Sequence, residues 1–144
     1  MSKFVREYGR RVNQKPSFTI FNHVWPGDGP GSGGGWHRDT RLKPVFKIIF
    51  YLVDVFPGGG EFFYVKGSHI FLSPSLLLRW HELLNKPRYE KFSKLLDPFG
   101  TGFSGRMGDA VLANTTGLHK GSEVFAGERF ALTVYFDNGV MIEK

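Results

Sequence analysis

VFKIIFYLVDV, residues 45–55, puts Phe46, Ile48, Phe50 and Leu52 on one side of an extended chain and Lys47, Ile49, Tyr51 and Val53 on the other. Successive side chains of a strand point to opposite faces, so this is strand periodicity over the whole stretch. RFALTVYF, residues 129–136, repeats the division. Phe130, Leu132, Val134 and Phe136 are all apolar, whereas Arg129, Ala131, Thr133 and Tyr135 set a charge among small and polar groups. The expected fold class is mainly β, an antiparallel sandwich or barrel. In a jelly roll the mixed faces would line a cavity, and the wholly apolar faces would lie outside it under a cover of helices.

Working outward, residues 18–25 are rich in β-branched and aromatic side chains and read as an earlier strand. The following PGDGPGSGGG, residues 26–35, cannot be regular structure. A phosphate cradle in this loop would need a helix directly after it, and WHRDT reads instead as a strand entry. FPGGG, residues 56–60, turns the chain into a strand over 61–65, which predicts an antiparallel hairpin with 45–55. Helical spacing begins after Ser73 and Pro74, with Leu76, Leu77, Trp80, Leu83 and Leu84 on one stripe. Tyr89, Phe92, Leu95 and Leu96 continue it before Pro98, which predicts a helical insertion around residues 74–97. Short strands are expected again at 110–114, 118–124 and 129–136. At the other end, Phe4, Val5, Tyr8 and Val12 predict a short basic helix over residues 1–15, stopped by Pro16.

A chain of 144 residues suits a single domain, here 1–144 with its β core at 17–136. The absence of Cys excludes disulfides, zinc–thiolate sites, iron–sulfur clusters and cysteine nucleophiles, so any metal must be held by His and carboxylate. Nineteen Lys and Arg against thirteen Asp and Glu give +6, which by itself suggests nucleic acid or another polyanion as partner. Five of those cations, against Glu7 alone, lie in the first fifteen residues. Neither a stacked aromatic–basic motif nor a zinc module supports nucleic acid. No apolar run is long enough to span a membrane and no secretory leader is evident, so a cytoplasmic location is expected.

His37 and Asp39 form an H-x-D pair, and residues two apart on an extended chain project to the same side, where an imidazole and a carboxylate can reach one metal ion. Alone, such a pair reads more readily as a surface contact at a strand end than as a metal site. His119, in TTGLHKG, follows a glycine turn and can project from a strand start as a third ligand. Two His and one carboxylate on one face leave three octahedral positions open, the arrangement of non-haem Fe(II) oxygenases. Arg129 lies ten residues beyond His119, on the mixed face of its strand, and a buried guanidinium there needs an anion such as the distal carboxylate of 2-oxoglutarate. Arg38, Arg41, Lys43 and Lys47 crowd the same region and suggest an anionic small-molecule substrate. His23, His69 and His81 read as structural residues.

GGGWHRDT (33–40), VFKIIFYLVDV (45–55) with GGGEFFYVKGSH (58–69), and GDAVLANTTGLHKG (108–121) with GERFALTVYF (127–136) together resemble the phytanoyl-CoA dioxygenase-like family of Fe(II)- and 2-oxoglutarate-dependent oxygenases. The order of H-x-D, strand, GSH turn, distal His and Arg carries the resemblance. It implies a double-stranded β-helix, or jelly roll, with His37, Asp39 and His119 as iron ligands and Arg129 on the far carboxylate of the cosubstrate. It also brings in Thr19, Lys47 and Tyr51 as further cosubstrate contacts. The implied reaction is hydroxylation of a small organic molecule by O2, with release of succinate and CO2. A catalytically silent jelly-roll module that binds metal or ligand, and a basic nucleic-acid-binding domain, are the alternatives. Family members carry a long helical N-terminal region where this chain has about fifteen residues before its first strand, so either a homo-oligomer or a core fragment of a longer protein is expected.

Overall fold

The computed structural model describes residues 15–29, 33–39, 45–70, 89 and 92–137. The expected helices over 1–15 and 74–87 lie outside the described residues. The elements are β1 (Lys15–Val24), β2 (Phe46–Tyr51), β3 (Phe62–Val65), a one-turn helix α1 (Ser93–Leu96) running into a 3-10 turn (Asp97–Phe99), β4 (Gly100–Phe103), β5 (Ala110–Asn114), β6 (His119–Gly121) and β7 (Arg129–Asp137). Two antiparallel sheets result, one ordered β1-β7-β2-β5 and the other β4-β3-β6. This is the jelly roll that the alternating faces predicted.

The division of faces is as expected. Lys47, Ile49 and Tyr51 of β2 and Arg129, Ala131, Thr133 and Tyr135 of β7 line the space between the sheets. Ile49, Tyr51, Val55, Phe62, Ala113 and Ala131 form its apolar core. Phe46, Ile48 and Phe136 cluster separately on the other face of the first sheet with Phe50 and Val134. Behind the second sheet, Trp36, Tyr89, Leu96 and Leu118 are buried together against Phe63 and Val65. The second helical stripe therefore covers an outer face, but in α1 and the 3-10 turn rather than in a long helix. Leu95 of that stripe is left 44% exposed.

The predicted hairpin between 45–55 and 61–65 does not form. β2 pairs with β5 and β7, whereas β3 pairs with β4 and β6 in the opposite sheet. Regular pairing stops at Tyr51, and Val55 exchanges two backbone hydrogen bonds with Gly105 at 2.8 and 2.9 Å. Gly58 and Gly60, with φ of 84° and 83°, then carry the chain across to the other sheet. A period of two fixes which face is buried but not which strand lies alongside. β4 was not foreseen, because its Gly-Thr-Gly-Phe sequence carries little strand signal. Its glycines serve close packing: a Cβ on Gly100 would lie 2.8 Å from the Trp36 ring.

One side chain ties the sheets together. The Tyr51 hydroxyl donates to the carbonyl of Phe103 at 2.5 Å and accepts from the amide of Phe62 at 3.2 Å. Replacing Tyr51 by Phe leaves a buried donor and acceptor unmatched and should cost about 1–3 kcal/mol. Denaturant unfolding of Tyr51→Phe beside wild type measures it, and a loss below about 0.5 kcal/mol would mean the hydroxyl does not join the sheets.

Candidate metal centre

The H-x-D segment lies along β6. His37 and His119 form an antiparallel bridge, each donating its amide to the other's carbonyl at 2.9 and 3.0 Å. Asp39 continues the ladder by donating its amide to the carbonyl of Thr115 at 3.0 Å. Alternation along this segment sends His37 and Asp39 inward and Trp36 and Arg38 to the back. There Trp36 is fully buried and its indole donates to Asp97 Oδ1 at 2.7 Å. Arg38 donates to the carbonyls of Ser68 and Thr116 at 2.7 and 2.5 Å, clamping the GSH turn to the loop before His119.

Two imidazoles and a carboxylate converge as a result. The potential ligand atoms of His37, Asp39 and His119 all lie within 4.8 Å of one another. Asp39 Oδ1 is 3.8 Å from His37 Nε2 and 3.7 Å from His119 Nε2. Both rings are oriented from behind, since His37 Nδ1 donates to Gly35 O at 2.8 Å and His119 Nδ1 to Gly117 O at 2.9 Å. A proton held at Nδ1 leaves the Nε2 lone pair for a metal. Gly117 has to be glycine here, because a Cβ would meet the Tyr64 hydroxyl at 2.0 Å.

Electrostatics suit the same use. Burial, aided by the adjacent His37, pulls the pKa of His119 down to about 3, so its ring is neutral at any ordinary pH. Its buried Nε2 has no hydrogen-bond partner. Burial raises the Asp39 pKa, but the Lys47 ammonium, His119 and the hydrogen bonds from Lys47 and Thr115 together outweigh it and hold the carboxyl below the usual range. Two lone-pair nitrogens and an ionised oxygen around one point form a donor set for a divalent ion of borderline character, such as Fe(II).

The remaining predicted residues divide. Arg129 is buried on the wall of a cavity of about 70 Å³ that His37 and His119 also line. It donates from Nη1 to Gly60 O at 3.0 Å, while its buried Nε has no partner. Glu128, its neighbour in sequence, is engaged instead by His23. Burial presses the guanidinium's pKa down, opposed by the nearby Tyr51. Lys47 reaches the cavity, but its ammonium binds Asp39. Tyr51 is part of the wall, with its hydroxyl engaged between the sheets. Thr19 is exposed and faces away, whereas Ile20 and Asn22 of the same strand line the cavity. Period two applied to β1 finds Asn22, as on β7 it places Thr133 and Tyr135 on the cavity face. Of the cations thought to favour an anionic substrate, Arg38 points to the back, and Arg41 and Lys43 lie outside the described residues. His69 Nδ1 lies 3.4 Å from the Tyr64 hydroxyl, away from the ligand group. His81 lies outside the described residues.

No protein-family model matches this chain, and no curated protein does. Solved structures do. HygX from Streptomyces hygroscopicus, in a structure with nickel and 2-oxoglutarate bound, superposes with a TM-score of 0.66 at 18% identity, covering 94% of this chain and 63% of that one. AviO1 from Streptomyces viridochromogenes Tue57 gives 0.64 at 17% identity, covering 98% and 60%. SnoK, a non-heme alpha ketoglutarate dependent carbocyclase from nogalamycin biosynthesis, gives 0.59 at 17% identity, covering 85% and 49%. The chain thus spans at most 63% of these three proteins. What it shares with them is the fold, a double-stranded β-helix, and between its sheets it holds a His–Asp–His group able to take a metal ion.

Titration of the metal-free protein with Ni(II) should reach one equivalent, and His119→Ala should bind at least about tenfold more weakly. Equal affinity in the variant would place the ion elsewhere.

Proposed function

We propose that the chain is a 2-oxoglutarate-dependent non-haem Fe(II) dioxygenase of the phytanoyl-CoA dioxygenase-like kind, hydroxylating a small organic molecule. The observation that carries this reading is the pairing, in one cavity, of the two imidazoles of a His–Asp–His group with a buried Arg129 that has no carboxylate partner among the described residues.

His37, Asp39 and His119 would hold Fe(II) through two imidazoles and one carboxylate, a set too small to fill the ion's coordination and so open to a cosubstrate. When bound, Fe(II) and 2-oxoglutarate supply the oxidising chemistry: O2 and 2-oxoglutarate become succinate and CO2, and one oxygen atom goes to a substrate C–H bond. The protein's part is placement. Arg129 fixes the distal carboxylate of the cosubstrate through its planar fork, and Gly121 gives it room, since a Cβ there would lie 2.6 Å from Nη1. The Ile49 and Phe62 side chains and the Tyr51 ring keep that wall of the cavity apolar, which limits water near the reacting centre. With Arg38 at the back and Lys47 on Asp39, the charge left for a ligand among the described residues is that of Arg129. The substrate is accordingly proposed only as a small organic molecule.

Anaerobic addition of Fe(II) and 2-oxoglutarate should produce the visible charge-transfer absorption of the chelate, and admission of O2 should yield succinate. Asp39→Ala should lose both. Arg129→Ala should raise the 2-oxoglutarate concentration needed by about tenfold or more, the loss of a charge-assisted bidentate contact. An unchanged requirement would remove Arg129 from the cosubstrate, and wild-type turnover in Asp39→Ala would remove the whole assignment.

A further inference from the structure

Lys47 is the cation in the cavity for which the proposed reaction has no use. It is buried on β2, with Nζ 2.9 Å from Asp39 Oδ1 and 2.8 Å from Oδ2. Oδ1 is also the oxygen that faces Nε2 of His37 at 3.8 Å and of His119 at 3.7 Å. The atom that would complete the ligand triad is therefore already held by an ammonium. On its other side Nζ stands 4.5 Å from the centre of the Tyr135 ring.

We propose that Lys47 is a resident counter-ion that competes with the metal for Asp39. The inference rests on the reading that the triad holds a divalent ion. In the metal-free protein the ammonium neutralises a carboxylate that would otherwise be buried and ionised without compensation, a costly state. When the ion enters, Lys47 yields Oδ1 and keeps Oδ2, which confines Asp39 to one coordinating oxygen. Lysine suits this exchange because its charge is compact and its stem flexible, and the Tyr135 ring face offers the ammonium a second contact as it moves. The competition has a thermodynamic cost for the metal, since a positive charge stays a few ångströms from a dication. Metal affinity is thus held below what the three ligands alone would give.

The test uses Ni(II) alone, without cosubstrate, so that it does not depend on turnover. Calorimetric titration and thermal unfolding are run on wild type, Lys47→Met, Lys47→Gln and Lys47→Arg, with His119→Ala marking loss of the site. The two neutral variants should bind Ni(II) about tenfold more tightly than wild type, and Lys47→Arg should stay within about threefold of it. Without metal, the neutral variants should melt at a lower temperature, and saturating Ni(II) should recover the difference. A purely structural lysine would lower stability with no gain in affinity, so unchanged or weaker binding in folded Lys47→Met and Lys47→Gln overturns the proposal. Failure of both to fold even with Ni(II) present also overturns it, because the ion should replace the missing charge. If wild type and His119→Ala bind Ni(II) alike, the metal reading itself falls and takes this one with it.

Discussion

Two backbone hydrogen bonds, exchanged between His37 and His119, set the position of everything chemical in this molecule. Directly opposed residues of antiparallel strands have their side chains on the same face and close together. Pairing these two residues therefore brings their rings to 4.2 Å between centroids with no further device. Period two then places Asp39 on the same face. The bridge is held in turn by what lies behind it, where Trp36 is sealed in an apolar cluster and Arg38 links the GSH turn to the loop before His119. Residues two apart thus divide the work, with 37 and 39 facing the cavity and 36 and 38 fixing the segment that carries them.

Much of this was legible in the sequence because it depends on local periodicity. The split of β2 and β7 into a mixed and an apolar face gave the inside and outside of the first sheet. The H-x-D spacing gave the common direction of His37 and Asp39. What the sequence could not give is whatever depends on which strand neighbours which. The hairpin failed because alternation is the same whether 61–65 pairs with 45–55 or with β4 and β6. Convergence of His119 on His37 is likewise a matter of pairing, and it came from the order of motifs in a resemblance. Thr19 was a slip of one position, which on a strand moves a side chain to the opposite face. Arg38 was counted toward the cavity by proximity in sequence, although the alternation that sends His37 and Asp39 inward sends it to the back.

The buried charges show how closely such groups are compensated. The two carbonyls that Arg38 holds satisfy one end of its guanidinium. Glu61 accepts from the Gly58 amide at 3.0 Å and the Ser122 hydroxyl at 3.1 Å. Lys47 donates to Asp39 Oδ1 at 2.9 Å and offsets its charge. Each arrangement offsets the cost of taking a charge out of water, as a folded protein requires.

Arg129 is held by fewer acceptors than Arg38, and the difference carries information. Among the described residues its hydrogen-bond partner is a carbonyl, its Nε is buried without one, and Gly60 and Gly121 leave it a close-fitting bed, since a Cβ on Gly121 would lie 2.6 Å from Nη1 and one on Gly60 would lie 2.6 Å from Val124 and 3.2 Å from the Arg129 Cβ. A guanidinium held in place so tightly, yet left short of an acceptor, is stable only if the difference is supplied elsewhere. The fold supplies part through packing, and an anion with two oxygens in a plane would supply the rest. His119, whose ring lines the same cavity, presents a second unsatisfied atom, its buried Nε2. An orphaned donor and an orphaned lone pair in one enclosure call for a ligand that is anionic at one end and bound through a metal at the other.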